Sequence, residues 1–213
     1  MPEIKTILWD WNGTLLNDVD HCIRCMNLLL EARRLTLLEK ERYLDVFTFP
    51  VKEYYTLLGF DFHKEPFEIP AEEFIVHYNK GLEEVPLHDD VTETLAFISK
   101  KGIDQYIVSA MQHDALLASV TIRKIADYFR QINGIEDNLA FGKTAIAREI
   151  IKVHDLDPQH TLLVGDTLHD AEVADASGVE CVLIARGHQH KVRLAAAGKP
   201  VYSSLKEWAT TLR

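Results

Sequence analysis

Three shortages narrow this chain before any motif is read. Cysteine is scarce. Cys22, Cys25 and Cys181 are an odd number without framework spacing in 213 residues, which excludes a disulfide scaffold and points to a reducing compartment. Cys22 and Cys25 form C-x-x-C, but both fall on an apolar helical repeat and read as buried helix residues rather than as a redox or zinc pair. Long apolar runs are missing as well. No stretch approaches the roughly 18 residues of a membrane span, and Met1–Lys5 leads into a predicted strand without a signal-peptide pattern. The expectation is a cytoplasmic protein with no membrane partner. Positive charge is in deficit, with 23 Lys and Arg against 33 Asp and Glu and a formal net charge of −10. A nucleic-acid partner needs a basic face and is not expected. Small phosphate compounds remain open, because a bound divalent cation reverses the field locally.

What is present is an ordinary globular composition, 47% apolar and 26% charged, long enough for one domain with a full core or one domain plus a modest insertion. The short apolar run Ile4–Trp9 followed by Asn-Gly reads as a buried strand. Val19, Cys22, Ile23, Met26, Leu29 and Leu30 then repeat at helix spacing. Further helices are predicted around Glu39–Phe47, Val51–Leu58 and Ala71–Leu82, punctuated by Pro50, Gly59, Pro66 and Pro70, and no strand is expected between Leu16 and Val85. Beyond Pro86 the texture changes. Asp89 or Asp90 is expected to cap a helix through Lys101. Strands follow at Ile103–Val108, near Tyr128–Ile132, at Thr161–Val164 and at Glu180–Ile184. They alternate with helices at Asp114–Ile122, Lys143–His154 and up to Ser177. This alternation predicts an α/β fold: a Rossmann-like parallel sheet with helices on both faces. Residues 16–86 are read as an inserted all-helical cap, and residues 1–15 with 87–213 as the core.

In open parallel sheets, ligands sit beyond the carboxyl ends of the strands. Four such positions carry polar groups suited to phosphoryl chemistry: Asp10, Ser109, Lys143 and the pair Asp166 and Asp170. Asp10 follows a buried strand at a sharp Gly turn, where an acid can be a nucleophile, a metal ligand or both. Lys143 opens a helix, which is unfavourable for the macrodipole and argues for a site role. Ser109 is also compatible with an ordinary strand end, and Asp166 and Asp170 with capping of the next helix.

Asp10-Trp11-Asn12-Gly13-Thr14, Ser109 after Ile107-Val108, Lys143, and Gly165-Asp166-Thr167-Leu168-His169-Asp170 resemble, in order, the four motifs of the haloacid dehalogenase superfamily. The spacing is similar to the subclass with a helical cap after the first motif, which includes phosphoglycolate phosphatases. The resemblance implies a Mg²⁺-dependent phosphatase of small phosphorylated metabolites, a monomer or homodimer, working through an aspartyl-phosphate. It implies that Asp10, Asn12, Ser109 and Lys143 are catalytic and that Gly13, Thr14, Ser109, Ala110 and Lys143 hold the phosphate. Asp10, Asn12 through its carbonyl, Asp166 and Asp170 would hold the metal. Mg²⁺ suits such oxygen ligands.

One departure carries weight. Active phosphatases of the family usually have Asp where this chain has Asn12, and loss of a positioned acid–base group costs about 10²–10⁴ in rate. The expectation is a preference for good leaving groups. Two alternatives follow from the same residue. Phosphonoacetaldehyde hydrolases are similar at the first motif and use a cap lysine, for which Lys52 stands in a plausible region. A phosphate-binding or partner-binding module with weak turnover is the other. Asn17-Asp18 also departs from the frequent Asp-Ser without removing a reacting group. His188-Gln189-His190 is read as a solvated loop, and Arg24, Arg33, Arg34 and Lys52 as solvated cap cations.

Overall fold

The apolar run before Asp10 becomes the centre of a sheet. In the computed structural model, which describes residues 3–135 and 142–212, strand β1 (Thr6–Trp9) is buried along its whole length. It pairs in parallel with β2 (Asp104–Gln112) on one side and β4 (Thr161–Gly165) on the other. With β3 (Gln131–Ile135), β5 (Glu180–Ile184) and β6 (Val201–Tyr202), the order is β3-β2-β1-β4-β5-β6, parallel throughout. The order reverses at β1, so the crevice of a doubly wound fold opens beside Asp10.

Alternation along β1 sorts its side chains to two faces. Ile7 and Trp9 join an apolar cluster with Leu95, Leu116, Val120 and Trp208. These come from helices α5 (Val91–Lys100), α6 (His113–Ile122) and α10 (Leu205–Ala209). Leu8 joins a second cluster with Ala147, Ile150, Ala171, Ala174 and Leu194, from α7 (Lys143–Val153), α8 (Leu168–Ser177) and α9 (Lys191–Leu194). Both faces are therefore covered by helices. Burying each large apolar side chain contributes about 1.5–3 kcal/mol before entropy is counted. The buried Trp9 indole keeps its hydrogen bond, donating to Gln105 Oε1 at 3.0 Å.

Between β1 and α5 the described chain is helical: α1 (Val19–Ala32), α2 (Lys40–Val46), α3 (Val51–Leu57) and α4 (Glu68–Gly81). Their apolar faces, through Met26, Leu30, Tyr54 and Tyr78, belong to the same cluster as Ile7 and Trp9. Asn12 and Leu16 form isolated bridges at the neck, Asn12 with Leu16 and Leu16 with Leu87.

Several boundaries differ from the sequence expectation. β2 runs four residues past Val108 because pairing with β3 resumes at Gln112 after a register shift, so Ser109 lies inside a strand. The third strand begins at Gln131, since Ala126–Tyr128 forms a short 3-10 turn. Helix α4 starts at Glu68, with Pro70 in its first turn, where a missing N–H is tolerated. The side chain of Asp90 does not cap α5; its carboxylate accepts instead from Arg186 Nη1 at 2.5 Å and from the Lys206 amide at 2.9 Å. No described helix is long and apolar enough to cross a membrane.

Candidate active site

Asp10, Asn12, Ser109, Ala110, Lys143, Asp166 and Asp170 line one cavity of about 350 Å³ at the carboxyl ends of β1, β2 and β4. The chain delivers each from a strand end, the strand's continuation or the following helix start. Gly13 and Thr14 are not in its wall. The Gly13 amide donates to Asp18 Oδ1 at 2.8 Å. The Thr14 hydroxyl stands 2.9 Å from both Asp10 Oδ2 and Asp166 Oδ1 and serves one carboxylate at a time. Both act beneath the cavity, holding its floor.

Charge in this floor is out of balance. Asp10, Asp166 and Asp170 offer carboxylate oxygens within 4.8 Å of one another, all from buried residues. They face the ammonium of Lys143, which donates to Asp10 Oδ1 and to Asp170 Oδ1. Burial pushes the Asp10 carboxyl up and Asp170 adds to it, against the pull of Lys143. Burial also drives Asp166 well above the carboxylate range, opposed by His188. Asp170 is likewise pushed up by burial, yet ends below its ordinary value. Lys143 and bonds from the Thr167 amide and hydroxyl, at 2.9 and 2.7 Å, outweigh the burial. Burial disfavours the Lys143 charge, but the two carboxylates hold it protonated. Two of the three acids thus lack sufficient positive charge, and the donors are hard oxygens. That set fits a divalent oxygen-seeking cation.

Two glycines permit this packing. Gly13 has φ +78°, and a Cβ there would strike the Asp166 carboxylate and the His188 ring. A Cβ at Gly187 would also land on the Asp166 carboxylate. Side chains at either position are incompatible with the buried acid.

Asn12 has a structural explanation in Asp18. Its Nδ2 donates to Asp18 Oδ2 at 2.9 Å and lies 2.7 Å from the Tyr78 hydroxyl, which itself donates to Asp18 at 2.8 Å. Both amide protons are therefore used, and an aspartate would present a second carboxylate to Asp18. Burial works to raise the Asp18 pKa, but His188 and these donors hold it far below the ordinary range. Asp18 is thus a fixed anion, a role its place in the Asn17-Asp18 pair did not suggest.

His188 and Gln189 correct the solvated-loop expectation, since both are buried. His188 Nε2 lies 3.3 Å from Asp18 Oδ1, its Nδ1 is 2.7 Å from the Tyr43 hydroxyl, and its amide donates to Asp166 Oδ2 at 2.6 Å. Burial favours the neutral ring, but Asp18, Asp166 and Asp10 lift its pKa to about 9. The signal was available: His188 follows the carboxyl end of β5, where ligands are expected. Gln189 donates to the Phe47 carbonyl at 3.0 Å, joining this loop to α2.

Arg24, Arg33, Arg34 and Lys52 stay out of the cavity. Arg33 pairs with Glu65 at 2.7 Å and Glu73 at 2.8 Å. Lys52 stands 5.5 Å from the Phe62 ring centre and 5.9 Å from that of Phe67. Neither these two nor Arg24 or Arg34 lines the wall.

Known proteins supply the comparison. A family model described as haloacid dehalogenase-like hydrolase matches residues 7–184. The phosphoglycolate phosphatase of Pseudomonas putida is 26% identical over 194 residues, covering 87% of this chain and 71% of that one. A haloacid dehalogenase-like family protein from Streptococcus pneumoniae superposes with a TM-score of 0.87 at 18% identity, over 100% of both chains. A predicted phosphoglycolate phosphatase from Haemophilus somnus gives 0.83 at 18%, again over 100% of both.

Proposed function

Because the chain belongs to the haloacid dehalogenase-like hydrolases, we propose that it is a Mg²⁺-dependent phosphatase of small phosphate monoesters, acting through an aspartyl-phosphate on Asp10. Phosphoglycolate is the compound to which the names of its relatives point. The observation that carries the reading is the buried carboxylate set Asp10, Asp166 and Asp170 gathered around Lys143 at one end of the cavity.

Asp10 is the nucleophile. Thr14 and Lys143 hold its two oxygens, so the carboxylate is oriented before substrate arrives. One carboxylate oxygen forms the bond to phosphorus as the ester oxygen departs with the bonding electrons. Lys143 offsets charge that spreads over the phosphoryl oxygens in the loose transition state. Ser109, buried at the cavity wall, is available to donate to one of those oxygens. Its Oγ also accepts from the Met111 amide at 3.1 Å, which orients it. Asp10, Asp166 and the Asn12 carbonyl would hold Mg²⁺, with Asp170 behind them. The ion supplies positive charge to the phosphate and to the attacking acid. Asn12 cannot give a proton to the leaving oxygen, so esters of acidic alcohols react fastest. Residues 16–86 act as the cap and residues 1–15 with 87–213 as the core. The lysine-dependent alternative finds no support, because Lys52 rests on aromatic rings away from the cavity.

The test is phosphate release from p-nitrophenyl phosphate with Mg²⁺, with excess chelator, and in the Asp10→Asn and Asp166→Asn variants. Release is expected only for the wild type with metal. Release that survives chelation or Asp10→Asn contradicts the reading.

A further inference from the structure

The cavity that holds the carboxylates has a second group of lining residues. It comes from α1–α4 and the segment after Ser109 and is mainly aromatic and aliphatic, through Met26, Phe47, Phe49, Tyr54, Phe74 and Met111, with Asn79 and Gln112 as polar members. Phe47 stacks on Tyr43 at 5.2 Å and meets Tyr54 edge-on at 5.3 Å, so these rings form one continuous surface. The basic side chains in the lining, among the described residues, are Lys143, His188 and His169. Lys143 is taken by Asp10 and Asp170, and His188 by Asp18. His169 is stacked on Phe49 at 4.6 Å and lies 3.2 Å from Glu172 Oε2. Asp18 adds a further buried negative charge to the wall.

From this lining we infer that the preferred substrate is a phosphate monoester whose leaving group is uncharged and apolar, with an aromatic ring as the best fit, and not one bearing a second anion. The inference rests on the phosphatase reading and narrows it. A carboxylate in this wall loses water and gains no unpaired lysine or arginine among the described residues, whereas an aromatic ring finds ring partners. In phosphoglycolate the carboxylate is one methylene from the ester oxygen, so it is held close to the phosphate. Size agrees, since about 350 Å³ suits a phosphate with a single ring.

Benzyl phosphate and phosphoglycolate test this, because both leave as alkoxides and the missing acid handicaps them alike. Each is measured as a substrate with Mg²⁺ and as a competitor of p-nitrophenyl phosphate, so that affinity is read even without turnover. Benzyl phosphate is expected to compete at least about tenfold better. Phe47→Ala should weaken benzyl phosphate more than phosphoglycolate. Val51→Lys, which brings a cation to the partly buried start of α3 at the cavity wall, should shift the ratio toward phosphoglycolate by about tenfold. Equal or better competition by phosphoglycolate in the wild type overturns the inference, as does a ratio that neither variant moves. Absence of phosphate release from every ester, p-nitrophenyl phosphate included, instead removes the phosphatase reading beneath it.

Discussion

Asn12→Asp installs the acid that the resemblance of the first motif leads one to expect, and the structure predicts that the change is costly. The amide donates to Asp18 Oδ2 across 2.9 Å. Aspartate removes that bond, about 1.5–3 kcal/mol for a charged partner, and sets two carboxylates at the same spacing. At an effective dielectric of about 20, two full charges at that distance repel by about 6 kcal/mol. The new group therefore stays protonated to well above its ordinary pKa rather than accept the whole repulsion. A group whose folded pKa is raised has its best stability below the unfolded pKa of about 4 and loses it as pH rises toward the folded one. Relative to wild type, the metal-free variant should lose about 1–2 kcal/mol at pH 5 and about 3–5 kcal/mol at pH 8. Urea unfolding with chelator at both values measures this. Adding Asp18→Asn to the variant should remove most of the pH dependence. A loss that is the same at both pH values, or that Asp18→Asn leaves untouched, refutes the argument that Asp18 selects an amide at position 12.

Two further predictions concern the same floor. In the metal-free protein, His188 is raised from 6.5 to about 9, so its contribution is complete below pH 6.5 and fades as pH rises through 9. His88, whose Nε2 lies 2.9 Å from the Gly13 carbonyl, is lowered from 6.5 to about 4 by burial and then Arg186, so stability also falls as pH drops below 6.5. Each limb is worth about 3 kcal/mol at 1.36 kcal/mol per unit. His188→Gln should flatten the alkaline side of the stability curve and His88→Gln the acid side; unchanged limbs would exclude these groups. Gly187→Ala should cost about 1–3 kcal/mol and most of the Mg²⁺-dependent turnover, because its Cβ meets the Asp166 carboxylate. Gly178→Ala, at φ +73° with nothing within 4 Å, should cost only the backbone strain of about 1–2 kcal/mol and spare turnover. Equal losses of turnover in the two variants contradict that account.

The sheet was readable because its central strands are short apolar runs that end in polar residues. Ile4–Trp9, Thr161–Val164 and Glu180–Ile184 appear as β1, β4 and β5 to within two residues. β6 and the helices α9 and α10 were not anticipated; they are two to five residues long, and tertiary packing rather than local pattern creates them. The cavity residues at strand ends were legible for the same reason, since the turn after each strand has one place to point. Asp18 was not, and His188 only through its place after the carboxyl end of β5. Asp18 looks like an ordinary polar residue before a helix, and His188 sits among polar loop residues. Their importance arises from a contact across 170 positions of chain, which no local spacing encodes. The aromatic lining was hidden differently: its residues have the composition of any core, and only the fold shows that they face a cavity.

Acid-quenched wild-type enzyme, sampled during turnover of p-nitrophenyl phosphate with Mg²⁺ and digested for mass spectrometry, tests the central claim most directly. The account predicts a phosphoryl group on the peptide that contains Asp10, absent without metal and absent in Asp10→Asn. Steady turnover with that peptide unmodified at every time point, or with the phosphoryl group on another residue, would contradict it.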